Sequence, residues 1–155
     1  MKETNLLLGG VIGLIHPSTF ESGISCIKAI GQSDEVVKRE HLDELMGGWT
    51  SPCTAASVIN NRDTPLHRDN GATYGSMDFL TSVGEFHGTF MAPTLGYNFS
   101  FTSGTVIGLL GRIVPHAAKV HGEQLCYAQY LREIIFKPLG VGQPEFVHIN
   151  ELTRT

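Results

Sequence analysis

The sequence predicts a mainly β chain of the α+β class, with helices first and an antiparallel β body after them. Two observations carry this reading. Only 17% of the residues are charged while glycine reaches 18 of 155, a texture of compact, turn-rich structure rather than of a helical bundle or a disordered tail. Apolar residues also recur at helical steps in the first third of the chain, then give way to short runs bounded by Gly, Pro, Asn and Ser. With 41% apolar residues in 155 positions the chain can bury one core and is too short for two full domains. We therefore expect one domain over 1–155, with helices over about 17–47 and a β core over about 49–137.

The stretch "HPSTFESGISCIKAIGQ" spaces Phe20, Ile24, Ile27 and Ile30 by three and four residues, with Pro17 near its start and Gly31 near its end, as an amphipathic helix requires. A second helix is expected over "SDEVVKREHLDELMGG", capped by Ser33 or Asp34 and stopped by Gly47 and Gly48. From Trp49 onward come "AASVINN", "MDFLTSV", "GTFMAP", "YNFSFTS", "TVIGLLGRIV" and "QLCYAQYLREIIF". In "YNFSFTS" the residues Tyr97, Phe99 and Phe101 share one face and Asn98, Ser100 and Thr102 the other, the signature of a half-buried strand. Successive short strands of this kind read as a sandwich or a barrel.

Other features narrow the setting. The opening "MKETNLLLGGVIGLIHP" lacks the basic start and cleavage site of a secretory signal, and its apolar run falls short of the ~20 residues that span a membrane. Cys26, Cys53 and Cys126 are odd in number and far apart, which suits buried thiols in a reducing compartment rather than a disulfide framework or a zinc knuckle. A soluble intracellular protein is expected. The net charge of −4 argues against a wholesale nucleic-acid coat, which usually needs a basic balance, so any contact with DNA or RNA would have to be local.

Chemistry concentrates in "PLHRDN". On a strand, residues two apart point the same way, so the His67 imidazole and the Asp69 carboxylate can grip one cation. They form two thirds of the two-histidine, one-carboxylate triad that holds ferrous iron and leaves positions open for co-substrates. The bland alternative is a surface turn whose polar groups the backbone satisfies. For the third ligand the chain offers His87, His116, His121 and His148 downstream; His116, ending the apolar run of "SGTVIGLLGRIVPH", is best placed. A double-stranded β-helix (a jelly-roll, cupin-like core) has His-x-Asp early and the distal histidine late.

Taken together, "INNRDTPLHRDNG", "YGSMDFLTSVGEF" and "SGTVIGLLGRIVPHAAKVHGEQLCYAQYLRE" resemble the TET and base-J-binding-protein oxygenases, in particular their fungal, transposon-associated members. The resemblance runs from about Ile15 to Arg132 and is strongest from residue 58 onward. It implies a jelly-roll dioxygenase dependent on iron(II), 2-oxoglutarate and dioxygen, oxidising the methyl group of 5-methylcytosine or thymine in DNA. The implied metal ligands are His67, Asp69 and His116. In such a site a base must leave the duplex to react; Asn60, Asn61, Arg62 and Asn70 are candidate readers, Tyr74 or Phe79 candidate stacking partners, and Asp78 a candidate partner for a substrate amino group. A DNA substrate would imply a nuclear location.

One position departs from the family pattern. The arginine that pairs with the distal carboxylate of 2-oxoglutarate is replaced by Gln124 in "GEQLCY", so a bidentate charge-assisted pair becomes a neutral amide contact. Arg62 ranks first as a substitute cation, ahead of Lys119 and Arg112. Arg132, eight residues beyond Gln124, would lie about 26 Å away on a regular strand, too far unless that strand ends early. Two further readings follow: a catalytically impaired jelly-roll relative that serves as a binding domain, and an oxygenase of small molecules.

Overall fold

The computed structural model describes residues 2–32 and 42–146. Its helices are α1 (Lys2–Ile15), α2 (Pro17–Gln32), α3 (Leu42–Gly48) and the short α4 (Phe136–Leu139); its strands are β1 (Ala55–Asn60), β2 (Thr64–His67), β3 (Asp78–Ala92), β4 (Tyr97–Thr102), β5 (Val106–Leu109) and β6 (His116–Tyr130). The six strands form one antiparallel sheet in the order β1-β6-β3-β4, with β2 also on β6 and β5 also on β3. This α+β arrangement is consistent with the jelly-roll core that the sequence predicts.

Helix α2 falls where the periodicity places it. Of the second expected helix only α3 belongs to the described residues; the Ser33 or Asp34 cap lies outside them. Helix α1 was not anticipated. Its apolar run is too short for a membrane span but buries Asn5, Leu8, Gly9 and Ile12, a helical spacing that Gly9, Gly10 and Gly13 disguise, since glycine is a poor helix former. Among the described residues no helix is long and apolar enough to cross a membrane.

His16, the single residue between α1 and α2, works as a cap. Its Nδ1 accepts from the Thr19 backbone N–H at 3.1 Å and lies 2.9 Å from Thr19 Oγ1, which in turn accepts from the Met77 N–H at 3.1 Å. Burial holds the imidazole pKa below its usual value, in the neutral form that accepting at Nδ1 requires. A histidine with a lowered folded pKa lends stability above about pH 6.5 that is lost as the pH falls toward the lowered value. Thermal melts of the protein and of His16→Asn, whose amide oxygen can still cap the helix, should therefore diverge: between pH 7.5 and 5.5 the parent loses more Tm than the variant. Parallel curves would show that His16 does not titrate against folding.

Two apolar clusters organise the interior. Ile12, Cys26, Cys53, Phe79, Leu131 and Phe136 join the helices to one face of the sheet, while Phe86, Phe90, Phe101, Leu109 and Cys126 fill the opposite, concave face. Phe79 is thus a core residue, 1% exposed, and not a stacking platform. Burial drives the Cys26 thiol up to about 11 and the Cys53 thiol up to about 12, which makes both inert, as small buried hydrophobes should be.

The concavity comes from two long strands that bend. Strands β3 and β6 pair without a break from Phe79↔Gln129 to Met91↔Ala117, and each carries a glycine at positive φ, Gly84 (φ 125°) and Gly122 (φ 109°). A Cβ at either would strike a carbonyl oxygen of the facing strand, of Glu123 or Glu85 respectively. Even-numbered side chains on both sides of the bend turn inward, so His116 and Gln124, far apart along β6, line one cavity of about 370 Å³.

Candidate metal centre

His67 ends β2, His116 opens β6, and the two are directly paired across the antiparallel ladder. Their rings lie 4.3 Å apart between centroids at 54°. Each Nδ1 sits against the carbonyl oxygen two residues upstream, His67 on Pro65 at 2.9 Å and His116 on Val114 at 3.0 Å. Donating from Nδ1 fixes the tautomer and leaves the Nε2 lone pair free for a cation. Asp69 spans the gap, with Oδ1 3.4 Å from His67 Nε2 and Oδ2 3.5 Å from His116 Nε2. All three residues offer ligand atoms within 4.8 Å of one another. Ligands at ~2.0–2.2 Å around one divalent ion, at right angles, stand about 3 Å apart, so the donor set fits a cation with only slight closure.

The surroundings favour the ligating state. His116 is 5% exposed, and burial lowers its pKa against the opposing pull of the Val114 carbonyl and the Asp69 charge, which keeps the ring neutral. Phe90 stacks on it, with centroids 5.6 Å apart and planes 19° from parallel. Behind Asp69 runs the backbone of Gly111: its carbonyl accepts from the Asp69 N–H at 3.0 Å, and a Cβ there would collide with the carboxylates of both Asp69 and Asp78. Asp78 is 4% exposed, and neither carboxylate oxygen has a hydrogen-bond partner among the described residues. Burial first, and the Asp69 charge beside it, push its pKa up to about 8, with Arg132 pulling the other way.

Comparison with known proteins agrees with this centre. Residues 1–133 match Tet_JBP, the oxygenase domain of the 2OGFeDO superfamily. The chain belongs to the Tet_JBP family. Membership implies iron(II) and 2-oxoglutarate, with dioxygen as second co-substrate, and the His67–Asp69–His116 triad is the group that would hold the iron. No curated protein matches the sequence. Among solved structures, the hydroxypropylphosphonic acid epoxidase from S. wedmorenis is similar at 18% identity and a TM-score of 0.34; the match covers 48% of this chain and 42% of that one.

The other residues singled out in the sequence divide into those at the Tet_JBP cavity and those away from it. Gln124, Arg62, Asp78 and Asn70 line it. Asn60 does not: Ser57 and Ile59 of β1 point in, whereas Asn60 is exposed on the alternate parity. Tyr74 lies outside the cavity with Arg112 over its ring at 4.0 Å, and Arg112 is paired with Glu133 instead of lending charge to the pocket. Lys119 is exposed on the outer face of β6, beside Thr89. Trp49 donates to the Cys53 carbonyl at 2.8 Å as a structural residue.

Arg132 and Arg68 line the cavity too. Arg132 lies just past the end of β6 at Tyr130, and six of the eight steps from Gln124 are on that strand, about 20 Å at ~3.3 Å per residue, so it lines the same cavity without standing beside Gln124. Arg68 sits between two ligands and points to the rim. Gln124 itself is 3% exposed, donates from Nε2 to Ser82 Oγ at 3.0 Å, and is clamped through its backbone by Asn61, whose N–H reaches the Gln124 carbonyl at 3.0 Å and whose Oδ1 accepts from the Gln124 N–H at 2.5 Å. Asn61 is left-handed (φ 47°), a conformation asparagine tolerates, and the clamp holds its neighbour Arg62 at the same end of the cavity.

Proposed function

We propose that this chain, as one domain over 1–155, oxidises the methyl group of a modified pyrimidine in DNA, 5-methylcytosine or thymine, at the iron held by His67, Asp69 and His116. The observation that carries the reading is the convergence of those three side chains in a cavity whose rim is basic although the chain is not. Arg62, Arg68 and Arg132 all line the cavity, all are exposed, and none is ion-paired among the described residues, on a chain of net charge −4. Such a rim draws phosphates locally. A nuclear location follows from the DNA substrate, and kinship with the fungal, transposon-associated branch rests on the sequence motifs.

Bound iron with 2-oxoglutarate and dioxygen supplies the oxidising power. The protein's own groups do the rest. The Nδ1 contacts aim both imidazoles; Phe90 and Leu80 keep the centre dry; Arg62, beside Gln124, offers the cation for the distal carboxylate of 2-oxoglutarate. Asp78, buried with two unpartnered oxygens, is the acceptor for an amino group of a flipped base.

Gln124 favours a second reading, a relative that keeps fold and metal but binds the co-acid too weakly to turn over, acting as a binding domain. Succinate release in the presence of methylated and unmethylated oligonucleotides, with oxidised bases detected by mass spectrometry, separates the two. Release that depends on the methyl group supports the oxidase; bound iron with no turnover at millimolar 2-oxoglutarate supports the binding domain; turnover on a small molecule alone sinks the DNA assignment.

A further inference from the structure

Arg112 occupies a position that neither the metal ligands nor the cavity lining accounts for. It sits in the turn between β5 and β6, where Ile113 N–H and Val114 N–H both donate to the Leu110 carbonyl at 2.9 Å. That one turn touches two of the three ligands. Gly111 supplies the carbonyl that anchors the Asp69 N–H, and its bare Cα lies against the Asp69 carboxylate; Val114 supplies the carbonyl that orients His116 through Nδ1.

The segment that carries Asp69 is irregular, and its one pairing with another strand is the isolated antiparallel bridge of Ala72 to Arg132 at its far end. What holds it is a set of cross-links: Ala72 N–H to the Asp69 carbonyl at 3.1 Å, Glu133 N–H to the Gly71 carbonyl at 3.1 Å, and Arg112 Nη1 to the Ala72 carbonyl at 2.7 Å. Arg112 is fixed in turn by its ion pair with Glu133 and by Tyr74 under its guanidinium. A planar guanidinium held by a carboxylate, a carbonyl and an aromatic face loses little freedom on binding each, which is what a rigid strut requires.

We infer that Arg112 is a positioning residue for the metal centre: by tying the turn that buttresses Asp69 and His116 to the loop that bears Asp69, it sets the spacing of the carboxylate and the distal imidazole. The inference rests on the metal centre alone, so it can fail while the DNA reading stands, and the reverse. Groups that only orient a ligand are commonly worth 10–100-fold in metal affinity.

The test is Co²⁺ titration of the metal-free protein followed by visible absorption, alongside the Tm of the metal-free form. Arg112→Ala is expected to weaken Co²⁺ binding by ~10–100-fold and to alter the d–d bands, with Arg112→Lys recovering part of the loss because an ammonium can restore the Ala72 bond but has no planar face to lie on the Tyr74 ring. Glu133→Gln and Tyr74→Leu, which leave Arg112 in place but slacken it, should shift the affinity the same way by less, and they carry the test if Arg112→Ala does not fold. A folded variant whose Tm falls while Co²⁺ affinity and spectrum stay within twofold of the parent would make Arg112 a purely structural clamp and overturn the inference.

Discussion

Asp69→Ala is expected to abolish succinate release and to weaken divalent-metal binding by at least ~100-fold, beyond what loss of a merely supporting group costs, without destabilising the metal-free fold. The first half follows from geometry: Asp69 is the one anionic member of the triad, placed within 3.4 and 3.5 Å of both Nε2 atoms, and without it two neutral imidazoles must neutralise and orient the ion alone. The second half is less obvious. In the metal-free protein the Asp69 carboxylate lies beside the buried carboxyl of Asp78, against the Gly111 backbone, and contributes to raising the Asp78 pKa. Removing it lowers the cost that the fold sets on ionising Asp78, which the Asp69 charge helps to hold protonated, while the Asp69 N–H bond to the Gly111 carbonyl is a backbone contact that alanine keeps. Stability and function thus pull apart here, as they do where an active site stores unfavourable charge. Differential scanning fluorimetry without metal should give a Tm equal to or above the parent's, and Co²⁺ titration should show the lost site. Parent-like metal affinity in this variant would mean that the ion sits elsewhere.

The triad could be read from sequence because its spacing carries geometry. Strand parity places His67 with Asp69, and an apolar strand ending in His116 brings the second imidazole back; the structure reaches the same convergence by other means, since β2 ends at His67, Asp69 rides on the irregular segment after it, and His116 opens β6 after the turn of residues 110–115. Asn60 was misplaced for the same reason in reverse: the parity of β1 that turns Ser57 and Ile59 inward turns Asn60 outward, and nothing in "VINN" announces which set faces the cavity. Arg132 lines the cavity along with Gln124 although most of β6 separates them, which a count along "YAQYLREIIF" does not reveal, and Arg112 looks free in the sequence because its partner Glu133 lies 21 positions on, a tertiary pairing with no periodic trace. Helix α1 went unseen because three glycines suppress helical propensity locally, whereas burial against the sheet, including Asn5 on the Gln129 amide, decides the matter. Local pattern was legible; the bend at Gly84 and Gly122, on which the cavity depends, appears only when both strands are seen together.

Gln124→Arg should lower the KM for 2-oxoglutarate by roughly tenfold with little change in kcat. A charge-assisted bond contributes about 1.5–3 kcal/mol where a neutral one contributes about 0.5–1.5, and a difference near 1.4 kcal/mol is a factor of ten. The gain is uniform binding, made equally in ground and transition states, so it lowers KM rather than speeding the chemistry. The side chain already points into the cavity, and a longer one has room there. Without co-substrate, however, the new guanidinium replaces an amide that is 3% exposed and satisfied by Ser82, so the variant's Tm should fall and be restored by 2-oxoglutarate, the mark of a buried charge waiting for its partner. Arg62→Ala closes the cycle. If Arg62 now supplies the cation, its removal raises the KM about as much as the new arginine lowers it, and Gln124→Arg rescues the Arg62→Ala variant, giving strong coupling between the two positions. If neither change moves the KM, the distal carboxylate finds its cation at neither position, and the cavity's remaining rim arginines, Arg68 and Arg132, become the next pair to exchange.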